Sequence, residues 1–245
     1  MQLADMIITQ SGEYALLSTV SKRVANGTKH TDFRLTLLDA NGQVIWNKDY
    51  DVNGTFLIDD EASGITQTAD GGFAIIGTTK TSALNTDMFV VRTDENGNTL
   101  WDKVYGNTGN LNDEGIAISE LPDGTFFWFG TEQISIVRTR IRLVQTNSLG
   151  NLLRDFNYMV TDANGQPISS NNTSAGGMHI ATSGGSTGIY MTGTVGGTLV
   201  VISTNLSGTL RWTLPISNIN GNNTGNDLLL SSGGELLVAG EALAS

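Results

Sequence analysis

The chain has 245 residues, a formal net charge of −11, 15% charged residues and no cysteine. That balance argues against non-specific nucleic-acid binding, which needs clustered Lys and Arg, and the missing thiols exclude disulfides, thiolate metal sites and cysteine nucleophiles. Its 30 glycines against 3 prolines suit many tight hairpins, and no apolar run reaches the length of a membrane-spanning helix.

The start, MQLADMIITQ, enters a first strand directly, so no signal peptide is visible; an exported parent would carry its targeting segment outside this sequence. TQSGEYALLS follows as a strand end, a glycine turn and an apolar strand ending at Ser18. KHTD, with His30, reads as a polar loop. Asp39-Ala-Asn-Gly42 then has the form of a hairpin turn, in which the Asx side chain caps and glycine supplies the positive φ. Trp46 and Tyr50 lie in the strand beyond it.

The same sentence recurs with drift. Its turns are Asp94 to Gly97, Asn147 to Gly150 and Asn205 to Gly208, and the four Asx anchors stand 55, 53 and 58 residues apart. Seven residues after each come Trp46, Trp101, Arg154 and Trp212; four further on come Tyr50, Tyr105, Tyr158 and Ile216. The apolar strands before the turns end at Ser18, Gly77, Gly130, Gly193 and Gly240. Asp39, Gly42, Trp46, Gly77, Asp94, Gly97, Trp101, Gly130, Asn147, Gly150, Gly193, Asn205, Gly208 and Trp212 are accordingly read as structural residues.

Alternation of period two and the absence of a sustained helical period predict an all-β chain with four short strands per unit. In the second unit these are about 64–68, 73–78, 88–93 and 99–105. Four-stranded units near 50 residues predict a β-propeller over 1–245 rather than a sandwich or a solenoid. The units span about 1–56, 57–111, 112–169 and 170–224, and 225–245 supplies the first two strands of a fifth. Asp5, Gly12 and Glu13 align with Asp227, Gly234 and Glu235. Three explanations of the short fifth unit stand: a longer propeller continuing beyond this sequence (the favoured one), a thin closing blade, or a partner that supplies the missing edge.

QTADGGFAIIG, DMFVVRTDENGNTLWDKVYG and DEGIAI resemble the propeller repeat of secreted and surface-anchored Bacteroidetes proteins, often lipoproteins or secretion-system cargo. The likeness is best over 60–106 and weakest in the fourth unit, which lacks the Asp-Gly-Gly turn. It implies an extracellular or outer-membrane location and carries no catalytic residues.

Chemistry is sparse. Asp60-Glu61 and Asp113-Glu114 occupy one place in successive units, just before the innermost strand and near one mouth of the central channel. Such carboxylates could bind a hard cation such as Ca2+, share a proton as an acid/base pair, or serve as solvated turn residues. Leu3 stands at the equivalent place in the first unit. No cofactor is expected, with Ca2+ the alternative. Arg138, Arg140 and Arg142 fall on one face of a strand, read as solvated and outer or as an anion patch; Phe126 to Phe129 read as blade core, and His179 as a strand residue. No His-x-His, nucleophile elbow or phosphate loop occurs.

The leading functional reading is a non-catalytic module that binds another protein or a surface glycan, with a further partner at the incomplete fifth blade. The alternatives are a carbohydrate-active hydrolase or lyase with carboxylates at the channel mouth, and a structural spacer. Function is expected where the copies differ, at 81–87, 132–142 and 157–177.

Overall fold

The computed structural model describes residues 1–23, 27–52, 58–82, 85–106, 111–161, 166–168, 173–183, 185–216, 223–231 and 233–242. Among them every regular element is a strand. β1 (Gln2–Ile8), β2 (Tyr14–Arg23), β3 (Lys29–Leu38) and β4 (Val44–Tyr50) form one antiparallel sheet in that order. β5 (Asp60–Gln67), β6 (Phe73–Ser82), β7 (Asn85–Thr93) and β8 (Thr99–Tyr105) form the next. β9 (Asp113–Glu120), β10 (Phe126–Ser135), β11 (Arg138–Thr146) and β12 (Leu152–Asn157) form a third, and β13 (Ser174–Ser183), β14 (Ser186–Val195), β15 (Thr198–Asn205) and β16 (Leu210–Ile216) a fourth. β17 (Asn223–Leu230) and β18 (Leu236–Ala242) pair as a two-stranded sheet. These are the four full blades and the two further strands that the repeat predicts. The expected strands of the second unit are longer than predicted at the end that bears Asp60, Ser82 and Asn85. By density of contacts the chain divides into two compact units, 1–128 with 145–153, and 129–144 with 154–245.

The turn chemistry explains each outer hairpin. Asp39, Asp94, Asn147 and Asn205 each accept two backbone N–H groups through Oδ1, at 2.7–3.0 Å. Gly42, Gly97, Gly150 and Gly208 close those turns with φ between 71° and 79°, a region that costs an L side chain about 1 kcal/mol or more.

The same turns are where blades meet. In the first unit the Trp46 ring lies 2.9 Å from where a Cβ on Gly97 would be, and Trp101 does the same at Gly150. In the second unit Phe156 covers Gly208. The hydroxyls of Tyr50, Tyr105 and Tyr158 donate to the carbonyls of Gly97, Gly150 and Gly208 at 2.9, 2.6 and 2.7 Å. Lys48 and Lys103 donate to Asn98 and Asn151, both at 2.6 Å. Thus the outermost strand of one blade clamps the turn of the next, and each blade needs the following turn to bury its aromatic residues.

Inner strands carry a second device. The register slips between Leu3 and Asp5, Ala62 and Gly64, Ala175 and Gly177, and Gly225 and Asp227. Opposite three of these bulges lie Gly77, Gly193 and Gly240, where a Cβ would fall 2.1–2.3 Å from a carbonyl of the innermost strand. In the Asp-Gly-Gly turn, Asp70 accepts two hydrogen bonds from buried Arg92 at 2.6 Å. Desolvation works against that carboxylate, but hydrogen bonds from Thr68 and Arg92 hold it at about 2.

Between the inner and outer clamps lies the core. In the first unit Leu17, Phe33, Leu35, Phe73, Ile75, Phe89 and Val91 form one buried cluster. Phe33 and Phe89 meet at 5.1 Å between ring centroids. Phe126 to Phe129 are all buried, as expected; Phe126 meets Trp101 and Trp128 meets Tyr105. His179 lies on β13.

Candidate functional site

The acidic pairs are the first two residues of β5 and β9, not the turns before them. Alternation divides each pair. Asp60 and Asp113 are fully buried, while Glu61 and Glu114 are exposed. Burial pushes the Asp60 carboxyl up to about 7, and the charges of Asp32 and Asp51 add to this. Although the Glu114 side chain stays open to solvent on one side, partial desolvation raises its carboxyl, and the charge of Glu61 adds to this. The charge of Glu61 therefore reaches Glu114 across adjacent innermost strands. By the register of the bulges, Leu3 matches Ala62, so Met1 and not Leu3 stands at the place of Asp60.

Asp60 faces a polar cluster built by the preceding blade. Lys22 Nζ bridges Asp32 at 2.6 Å and Asp49 at 2.8 Å, and Arg34 holds Asp49 in a fork at 2.6 and 2.8 Å. His30 Nε2 lies 3.3 Å from Asp32 Oδ1. His30 thus lies on β3 and is 2% exposed, contrary to the loop that its polar neighbours suggest. Burial is stable here because paired groups replace water around each charge.

Asp113 opens the matching innermost strand one blade further on. Asn112, just before it, accepts from the Thr86 N–H at 3.1 Å. Asp87, next to Thr86, accepts from Thr81 at 2.7 Å and from Asn85 at 3.0 Å. A Cβ on Gly106 would fall 1.8 Å from Asp87, so only glycine fits beneath that carboxylate.

The third copy of this position has different chemistry. Asp32, Asp87 and Arg140 each stand seven residues before an Asx turn, and Thr173 stands two before Ala175 as Asp60 stands two before Ala62. An Arg–Thr pair thus replaces two aspartates. Arg140 pairs with buried Glu132, and Arg142 lies 3.7 Å from Glu132 and 2.8 Å from Asp155. These arginines lie on the third strand of a blade in an ion-pair network; Arg138 alone of the three is exposed. Thr173 and Thr139 exchange hydrogen bonds at 2.9 and 2.7 Å. Above this floor opens a cleft of about 340 Å³ lined by Ile134, Arg140, Tyr158, Met159, Ile168 and Val195, among others. Its wall comes mainly from 132–142 and 157–177, the segments in which the copies differ.

Among the described residues no group of three or more His, Asp or Glu side chains could hold a metal ion. Asp60, Glu61, Asp113 and Glu114 do not gather as one ligand set, because alternation sends the aspartates inward and leaves the glutamates exposed. Asp32, Asp87 and Glu132 are further buried acids; the signal of Asp32 and Asp87 is their shared distance of seven residues before the Asx turn, and Glu132 carries no such signal. No helix among the described residues is long and apolar enough to cross a membrane.

The fold is that of a β-propeller. No protein-family model and no curated protein matches the chain. A GH43_1 enzyme from Xanthomonas citri, complexed with xylose, is similar at a TM-score of 0.51 and 12% identity, over 100% of this chain and 87% of that one. An alpha-L-arabinofuranosidase from Clostridium thermocellum gives 0.45 at 10% identity, over 90% and 73%. Drosophila plexin A, in complex with semaphorin 1b, gives 0.41 at 9%, over 98% and 72%. At such identities the likeness is one of fold.

Proposed function

We propose that this chain is a carbohydrate-active protein that works through Glu61 and Glu114. The observation that carries the reading is their placement: successive innermost strands begin with the same acidic pair, and Glu61 helps raise the Glu114 carboxyl. Two carboxyls placed on either side of a glycosidic bond can divide the work, one donating a proton to the leaving oxygen and the other acting as base or nucleophile. In this reading Glu114 is the acid and Glu61 the second carboxylate. The Xanthomonas enzyme, complexed with a pentose, supports it by analogy of fold.

The test is release of reducing ends from a panel of plant and bacterial polysaccharides. Activity that falls at least about 100-fold in both Glu114→Gln and Glu61→Gln, with unchanged circular dichroism, supports the proposal. No release from any substrate, or release indifferent to both changes, overturns it.

One observation favours a binding module instead: the cleft of about 340 Å³ combines apolar side chains with Arg140, Asn157, Tyr158 and Thr173, and no carboxylate side chain lines it. Glycan or peptide binding there that fails in Tyr158→Ala would support that second reading. We also propose location at a bacterial cell surface, as the repeat resemblance implies; surface proteolysis of intact cells of the source organism tests it.

A further inference from the structure

The cleft beside Arg140 has apolar walls, a positive corner and few polar groups left for a guest. Ile141, Val160 and Val195 line it and are buried, whereas Ile134 and Met159 line it and are exposed, so they form its rim. The wall that follows β12 is held in place: the Ile168 N–H donates to the Val160 carbonyl at 2.9 Å, and Thr161 pairs with Pro167. The Tyr158 hydroxyl is engaged by the Gly208 carbonyl at 2.7 Å, which leaves the ring to the cleft. Arg140 gives its Nε to Glu132 and, among the described residues, makes no hydrogen bond through its terminal nitrogens. Arg142 shares Glu132 and also pairs with Asp155, and Arg138 is exposed two residues before Arg140. Arg138, Arg140 and Arg142 against Glu132 and Asp155 leave this corner positive on a chain whose net charge is −11.

We propose that this cleft captures the C-terminus of another polypeptide, with an apolar last residue against its walls and the terminal carboxylate on Arg140. The inference rests on the reading of the cleft as a binding module and names its ligand. A carboxylate fits because the terminal N–H groups of a guanidinium match its two oxygens. An apolar side chain fits because contact with Ile141, Val160 and Val195 removes it from water. The volume of about 340 Å³ lies at the low end for ligand sites, which suits a single terminal residue. Asn157 offers a donor and an acceptor to the last peptide group. A free amino acid fits worse, because its ammonium would enter a positive corner that no carboxylate side chain lines. A glycan also fits worse, because most of its hydroxyls would face apolar walls without partners.

The probes are N-acetylated tetrapeptides ending in leucine or phenylalanine, each as the free acid and as the carboxamide, titrated calorimetrically into the intact chain. The acids should bind saturably, amidation should weaken binding at least about tenfold, and added salt should weaken the acids more than the amides. Met159→Glu sets a carboxylate on the exposed rim, where the fold tolerates it, and should weaken the acids at least about tenfold while changing the amides little. Arg140→Gln should act in the same direction, with circular dichroism to check the fold because Glu132 loses a partner. Equal binding by acid and amide, or tighter binding of free leucine, overturns the inference and leaves the binding-module reading standing. So does glycan binding that Tyr158→Ala abolishes where no peptide binds. A cleft that takes neither peptide nor glycan overturns both.

Discussion

At the scale of single residues, buried carboxylates set the pH behaviour. Asp60 is held at about 7 in the folded chain, above the ordinary aspartate value near 4. Between those values the folded state binds a proton that the unfolded chain has lost. This contribution therefore weakens folding as pH rises from about 4 to about 7 and is constant above. Asp60→Asn removes it. Relative to the native chain, the variant should gain stability between pH 4.5 and pH 8, on the order of 2–4 kcal/mol. Thermal denaturation of both at the two pH values measures this; a difference that does not change with pH would contradict the burial argument. Glycine gives a second contrast. Gly42 and Gly97 share one turn type, but only Gly97 lies under a tryptophan ring. Gly42→Ala should cost about 1 kcal/mol from backbone strain alone, and Gly97→Ala at least about 1 kcal/mol more because Trp46 must move. Denaturant titration of the two variants separates the clamp from the turn.

At the scale of elements, the repeated unit is a pair of interlocking parts. The third and fourth strands of the second, third and fourth blades present a turn, and the last strand of the previous blade grips it. Tyr50→Phe, Tyr105→Phe and Tyr158→Phe each leave a glycine carbonyl without its phenolic donor. Each should destabilise by about 1 kcal/mol, and pairs of these changes should add, since they act at separate turns. Chemical denaturation of single and double variants checks both statements. These parts were legible in sequence because they recur: the Asx cap, the ring seven residues on and the closing glycine are the same contact written several times. What joins Asp32 to Asp60 was not legible, because the partners come from different units and meet only through the register of a bulge. His30 was misread for a related reason. KHTD is polar throughout, yet Lys22 and Asp32 make burial of its histidine tolerable, and no local pattern records that exchange. The cleft was legible only in outline, as segments where the copies stop agreeing.

At the scale of the whole molecule, stability should follow the number of neighbours each blade has. β7 is buried almost throughout and β6 over 73–77, and both have paired strands on either side, whereas β18 pairs on one edge alone among the described residues. Native-state hydrogen exchange should be slowest at 75–77 and 88–91 and fastest, among the strands, at 236–242. Uniform exchange across the sheets would contradict a chain of neighbour-dependent blades. The same organisation accounts for the placement of chemistry. Contacts that hold blades together tolerate little change, so diversity collects at the strand entries, where aspartate pairs, an Arg–Thr pair and exposed glutamates occupy matching places. The proposed activity depends on one such place, where Glu61 and Glu114 share a field. Carbon-13 NMR titration of the side-chain carboxyls in the native chain and in Glu61→Gln tests that claim most directly. Glu114 should titrate above the ordinary glutamate value in the native chain and fall towards it when Glu61 is neutralised; an ordinary value unmoved by that change would contradict the account.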